Sequence, residues 1–207
     1  KVFFLFILIF ILSEALIFIS GDRTSFFYIN LSAIFIILFS QKLLKLRLFT
    51  LLSSLLLLLV ISFINPTAKE RVIDKTLSEM NLVNETKKEE EGIYIFTRSH
   101  THNYITAYNM FLDNKILGVG VKNFRNFCKY EKYYGKNEFS CSTHPHNFYI
   151  QILAETGIVG FLFLLLIFFN FLKYVLTHIF LKFRGKYYFN DFEICILSGV
   201  AIYLWPF

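Results

Sequence analysis

Charge is what this sequence has least of. Only 17% of its 207 residues are Asp, Glu, Lys or Arg, against about 25% in an average soluble domain. Three prolines and nine glycines are too few for a collagen-like or low-complexity chain. Three cysteines cannot staple a small secreted fold. What is abundant is apolar: 56% hydrophobic, 19% aromatic and 27 phenylalanines. A single soluble domain is not expected from that balance, and an integral membrane protein is the expected class.

The net charge of +6 raises nucleic acid as a partner, but its distribution argues against one. No basic stripe with interleaved aromatics occurs. Instead, two basic patches separate apolar runs: Lys42, Lys45, Arg47 and Lys173, Lys182, Arg184, Lys186. That is the pattern of cytoplasmic loops. Residues 1–20 are not followed by a small-residue cleavage site, so a signal peptide is a poor reading. The chain starts at Lys1 inside one apolar run and stops at Phe207 inside another. It is therefore expected to be the C-terminal or a middle part of a longer membrane protein.

Five apolar segments stand out: 2–19, 26–40, 48–64, 148–172 and 194–207. A bilayer-spanning helix needs about 20 apolar residues, and backbone polar groups in lipid must be paired within the helix. The expected fold is all-α, a polytopic transmembrane helix bundle of about five spans with the last one truncated. Glu14 is costly in lipid and should face the bundle interior. With residues 41–47 and 173–191 in the cytoplasm, 20–25 becomes a short outside turn and 65–147 a long outside loop. The organisation expected is thus 1–64, three spans; 65–147, an extracytoplasmic loop domain with short helices; 148–207, two spans joined by a basic cytoplasmic loop.

A loop of that length is rarely an idle connector. Ile73, Leu77 and Met80 suggest one amphipathic helix over 70–83, and Tyr104, Tyr108 and Phe111 or Leu112 a second over 99–114. Residues 84–92 read as a charged linker. Cys128 and Cys141 both lie in this loop, where an oxidising compartment permits a disulfide or leaves two thiols.

Four stretches carry possible chemistry. The first is Ser142-Thr143-His144-Pro145-His146-Asn147, followed by Gln151, Glu155, Gly157 and Gly160. Imidazole titrates near neutral pH and accepts a proton from a hydroxyl. Asn147 and Glu155 would orient it or bind polar substrate groups, or the cluster is simply polar helix-start sequence. The second is the turn Gly21-Asp22-Arg23-Thr24, where a guanidinium clamps phosphate or only snorkels. The third is Arg98 with His100 and His102. Two His-x-His pairs raise zinc as an option, but the spacing is generic, so no metal is assigned. The fourth is Gly118-Val119-Gly120, which lacks the third glycine and preceding strand of a dinucleotide site and reads as a turn.

In this order the pieces resemble the O-antigen ligase and polymerase superfamily of bacterial envelope glycosyltransferases, over roughly residues 10–175. Its most specific parts are Asp113 to Phe124 and His146-Asn147 to Gly160. The resemblance implies a multi-pass protein of the bacterial inner membrane, with the long loop periplasmic. It implies transfer of a glycan from a polyprenyl-pyrophosphate carrier to a hydroxyl on lipid A-core, on a growing glycan or on a protein, without cofactor or metal and with inversion. By the same resemblance His146 is the base, Arg23 and Arg98 bind pyrophosphate, and His144 assists. A ligase is favoured over a polymerase. A non-enzymatic lipid-linked glycan transporter, for which broken helices and internal repeats are lacking, and a structural or sensor protein stand as the alternatives. Membrane lipids are the remaining expected partner.

Overall fold

The computed structural model describes residues 2–79, 98–133 and 140–206. The expected charged linker, 84–92, lies outside these residues, as does Met80. Every regular element among the described residues is helical: α1 (Val2–Ser20), α2 (Arg23–Phe39), α3 (Leu44–Ile64), α4 (Pro66–Lys69), a π-helical turn (Glu70–Asp74), α5 (Lys75–Glu79), α6 (Arg98–Asp113), α7 (Phe124–Phe127), α8 (Phe148–Phe183) and α9 (Asp191–Tyr203). By length and composition, α3 and α8 suffice to cross a membrane, while α1 and α2 are shorter apolar helices.

The helix starts are written in local sequence. Asp22 caps α2, its carboxylate accepting from the backbone N–H of Thr24 and Ser25. Asn65 accepts from Ala68 N–H ahead of Pro66, the first residue of α4, where proline's missing N–H costs nothing. Asn190 and Glu193 form a reciprocal capping box on α9.

The chain divides into two compact units. The first comprises residues 1–76 and 175–205, the second 77–174 and 206–207. In the first, α1 packs on α3 and α2 on α9. Phe18, Leu58, Ala68 and Val72 form its buried cluster, with Phe26 edge-on to Phe18. Much of the rest of the interior is small or polar. Ser54 and Ser198 are buried, Ser32 and Ser198 hydroxyls meet at 3.1 Å across α2 and α9, and Glu14 is fully buried. Large apolar side chains such as Phe4, Leu52, Phe63 and Phe183 point outward. That inversion suits a lipid surroundings, where packing of small residues rather than apolar burial joins helices.

The two basic connections of this unit meet. Asp191 accepts from the N–H of Gln41 and Lys42 and pairs with Arg47 at 3.1 Å. Lys182 donates to the carbonyls of Leu38 and Ser40, closing the C-terminal end of α2. His178 is buried there, taking the Phe189 N–H on Nδ1 and facing the Phe39 carbonyl with Nε2. At the other end of the unit, the side chain of Arg71 lies against Gly21, and Arg23 reaches the Thr76 hydroxyl.

The second unit contains α6, α7, the 140–147 segment and most of α8. Its core is Ala107, Met110, Phe124, Cys128, Tyr133 and Ala154. The helix expected over 99–114 forms as α6. Of the one expected over 70–83, the described part is the π-helical turn and α5, with Val72 buried and Ile73 exposed. In α6 the buried face is Asn103, Thr106, Ala107 and Met110, and Tyr108 and Leu112 are exposed.

Candidate functional site

The second unit's site is built on an interruption of α8. At Gly157 the backbone takes φ 65° and ψ −161°, a conformation open essentially to glycine alone. The interruption frees backbone groups on both sides, and the 115–120 turn takes them up. Val119 and Gly120 donate N–H to the carbonyls of Ala154 and Glu155, while Ile158 and Val159 donate to the carbonyls of Lys115 and Ile116. The approach leaves no room for side chains. A Cβ on Gly118 would lie 2.4 Å from the Glu155 carbonyl carbon, and one on Gly157 2.3 Å from the Ile116 oxygen.

Glu155 locks the same junction. Its buried carboxylate takes the Phe124 N–H at 3.1 Å and the Gln151 amide at 3.3 Å. Glu155 therefore caps α7. The two stretches singled out in sequence, Asp113 to Phe124 and His146 to Gly160, are thus halves of one backbone junction.

Asn147 is also structural in the first instance. Its Oδ1 accepts from the N–H of Tyr149 and Ile150, starting α8, and its amide donates to the Pro206 carbonyl at 2.6 Å. That leaves His146 immediately outside the helix start, in the left-handed region at φ 64°. A non-glycine residue held there is strained. Pro145, buried before it, and the Asn147 cap after it enforce the conformation.

The imidazoles gather at this corner. The His144 and His146 rings lie 4.3 Å apart between centroids, and His100, from α6, lies 5.1 Å from His146. Tyr104 stacks on His100. Thr143 Oγ1 contacts His144 Nδ1 at 2.9 Å, and Ser142 Oγ contacts the buried Asn103 at 3.0 Å. Burial first, then the positive charge of His144 and His100, hold the pKa of His146 below the ordinary histidine value. His146 is thus tuned toward the neutral, proton-accepting form. A pocket of about 230 Å³ adjoins the cluster, lined by Tyr104, Asn147, Tyr149, Leu153, Phe161 and Pro206. Cys128 and Cys141 are joined as a disulfide with their Cα atoms 5.1 Å apart, which ties α7 to the segment leading into the histidines. Among the described residues, no group of three or more His, Cys, Asp and Glu side chains is placed to hold a metal ion.

Arg23 belongs to the first unit. It is the first residue of α2, behind the Asp22 cap. Hydrogen bonds from Ser25, side chain then backbone, hold the Asp22 carboxyl below the usual carboxylate range. Arg71 lies within the 70–83 stretch read as an amphipathic helix from its apolar residues alone, and carries no motif of its own. The fold lays its stem on the Arg23 turn, against Gly21. Arg98 opens α6, and its side chain lies outside those described.

Among the described residues the chain is all-helical, with two helices long and apolar enough to cross a membrane and a histidine cluster just before the longer of them. The family model for O-antigen ligase matches residues 5–165, so the chain belongs to the O-antigen ligase family. No curated protein and no solved structure matches it.

Proposed function

We propose that this chain transfers a glycan from a polyprenyl-pyrophosphate carrier to an acceptor hydroxyl on the outer face of the bacterial inner membrane, lipid A-core being the favoured acceptor. His146 takes the hydroxyl proton as the oxygen attacks the anomeric carbon. The carbon–oxygen bond to pyrophosphate breaks, with inversion, and the leaving group carries away the electron pair. Arg23 and Arg98 neutralise the charge that accumulates there, with Arg71 as a further cation beside Arg23. Burial first, then the charges of His144 and His100, favour the neutral form of His146. Asn147 and Glu155 position it by capping α8 and α7. The supporting observation is His146 itself: a solvent-exposed histidine held at positive φ, its ring close to two others, beside a pocket.

The same reading sets five spans across the membrane, with 65–147 periplasmic. It is supported by the two basic connections meeting at one end of the first unit, and by Arg71 and Thr76 lying beside the 20–25 turn at the other.

The test is a lipopolysaccharide gel with the carrier-linked glycan pool measured alongside. It uses cells lacking the full-length gene, complemented with wild type or His146→Ala. Bare lipid A-core with long glycan accumulating on the carrier, restored only by wild type, is the expected result. Lipid A-core bearing a single repeat would make the protein a polymerase. Full complementation by His146→Ala would sink the catalytic assignment.

A further inference from the structure

The first unit contains a second pocket, of about 370 Å³, that the glycan-transfer reading does not use. Its walls come from α1, α2, α3 and α9, through Phe6, Phe10, Ala33, Leu51 and Cys195. It is far larger than the ~30 Å³ share of one water, and its lining is almost wholly apolar. The one charged lining residue is Arg47. Arg47 Nη2 is held by Asp191, but Nη1 is buried with no hydrogen-bond partner among the described residues. A buried guanidinium donor left without an acceptor is costly.

Two further features sit at the same mouth. Leu43, which lines it, is held at φ 59° in the left-handed region, an outlier for a bulky residue. Lys42 and Lys45 flank it, both exposed. With Arg47, Lys182, Arg184 and Lys186 against Asp191 and Glu193, this end of the unit is net positive. An occupant must therefore be apolar along most of its length and carry an anionic oxygen at one end.

We propose that this pocket is a binding site for an anionic phospholipid, with an acyl chain among α1, α2 and α3 and the phosphate at Arg47, flanked by Lys42 and Lys45. Basic pockets between helices are suited to such head groups. The site is distinct from the carrier-lipid reaction and does not depend on it.

The test is native mass spectrometry of the full-length protein in detergent, offered equal amounts of phosphatidylglycerol and phosphatidylcholine with identical chains. Wild type should retain phosphatidylglycerol by about fivefold or more, the preference expected of a single basic side chain near a head group. Ala33→Phe, which fills the apolar part, should abolish retention while leaving the protein monodisperse. Arg47→Gln combined with Asp191→Asn removes the charge without orphaning its partner. It should keep lipid but lose the preference. Equal retention of the two lipids by wild type, or undiminished retention by Ala33→Phe, would overturn the proposal. So would Cys195 that resists alkylation in delipidated protein and binds no lipid, since a protein segment would then fill the groove.

Discussion

A histidine that must take a proton from a hydroxyl has to be neutral when the acceptor arrives. His146 meets that need through its surroundings, burial first and the neighbouring His144 and His100 after it. The acid limb of kcat/KM should therefore fall below the ~6.5 of an ordinary histidine. Removing a neighbouring positive charge raises the pKa of His146, so His144→Ala should move that limb to higher pH. A pH profile of glycan transfer by the full-length protein, wild type against His144→Ala, reads the shift. An unchanged limb would mean another group titrates. His146→Ala itself should cost about 10²–10⁴ in rate, the usual contribution of a positioned base.

Glu155 gives the contrasting residue-scale lesson. In sequence, a carboxylate downstream of a His-Asn pair reads as an orienting or substrate-binding group. In the structure it accepts the Phe124 N–H and fastens α7. Glu155→Ala orphans that buried donor and should cost about 1–3 kcal/mol of stability, whereas Glu155→Gln keeps one acceptor and should cost less. Thermal unfolding of both variants in detergent separates the two. If both lose activity while remaining equally stable, the carboxylate acts on substrate and not on the fold. Arg71 shows the opposite gap: nothing in its neighbours in sequence distinguishes it, and only the return of α4 and the π-turn brings it to Gly21.

Elements were legible, their faces much less so. Apolar run length anticipated α1, α2, α3 and α8, and spacing anticipated α6. Spacing then chose the wrong side of α6, because it assumes that large apolar residues point inward. Here the buried side carries Asn103, Thr106, Ala107 and Met110, and in the first unit Glu14, Ser54 and Ser198 are inside beside Phe18 and Leu58, while Phe4, Leu52, Phe63 and Phe183 are out. For the first unit, the proposed lipid surroundings remove the contrast on which the inward rule rests; α6, outside the spans, instead buries polar and small residues against the second unit's core. The α8 interruption was also invisible to periodicity. Gly118 and Gly157 each combine positive φ with a backbone approach that a Cβ would occupy. Gly118→Ala and Gly157→Ala should each cost about 1–3 kcal/mol from the strained conformation alone, and more from the clash. Either should loosen the junction under His146. Control substitution of Gly199, where nothing lies within 4 Å of an added Cβ, should be tolerated. Melting temperatures that rank Gly199→Ala with the other two would refute the junction.

At the scale of the whole molecule, the disulfide and the proposed topology test each other. Cys128 and Cys141 sit in the 65–147 segment and are bonded, whereas Cys195 is free in α9. A disulfide persists in the periplasm and is kept reduced in the cytosol. If 65–147 is periplasmic, this bridge should be oxidised in protein made in intact cells. Acid-quenched membranes, denatured and treated with a maleimide-polyethylene glycol, should then gain two modified thiols on prior reduction. The gain should vanish in Cys128→Ser and in Cys141→Ser. Cys195 should be modified in both conditions. Two thiols already reactive before reduction would place the loop in a reducing compartment. That outcome would invert every span and put His146 on the cytoplasmic face, where a reaction on exported, carrier-linked glycan has no substrate. The basic connections argue against that inversion, since the residues that bring them together, Arg47, Lys182 and Asp191, gather charge at the end of the first unit away from the Gly21 turn. A positive end belongs in the cytoplasm, and an oxidised bridge belongs outside it. The thiol count decides whether one chain satisfies both.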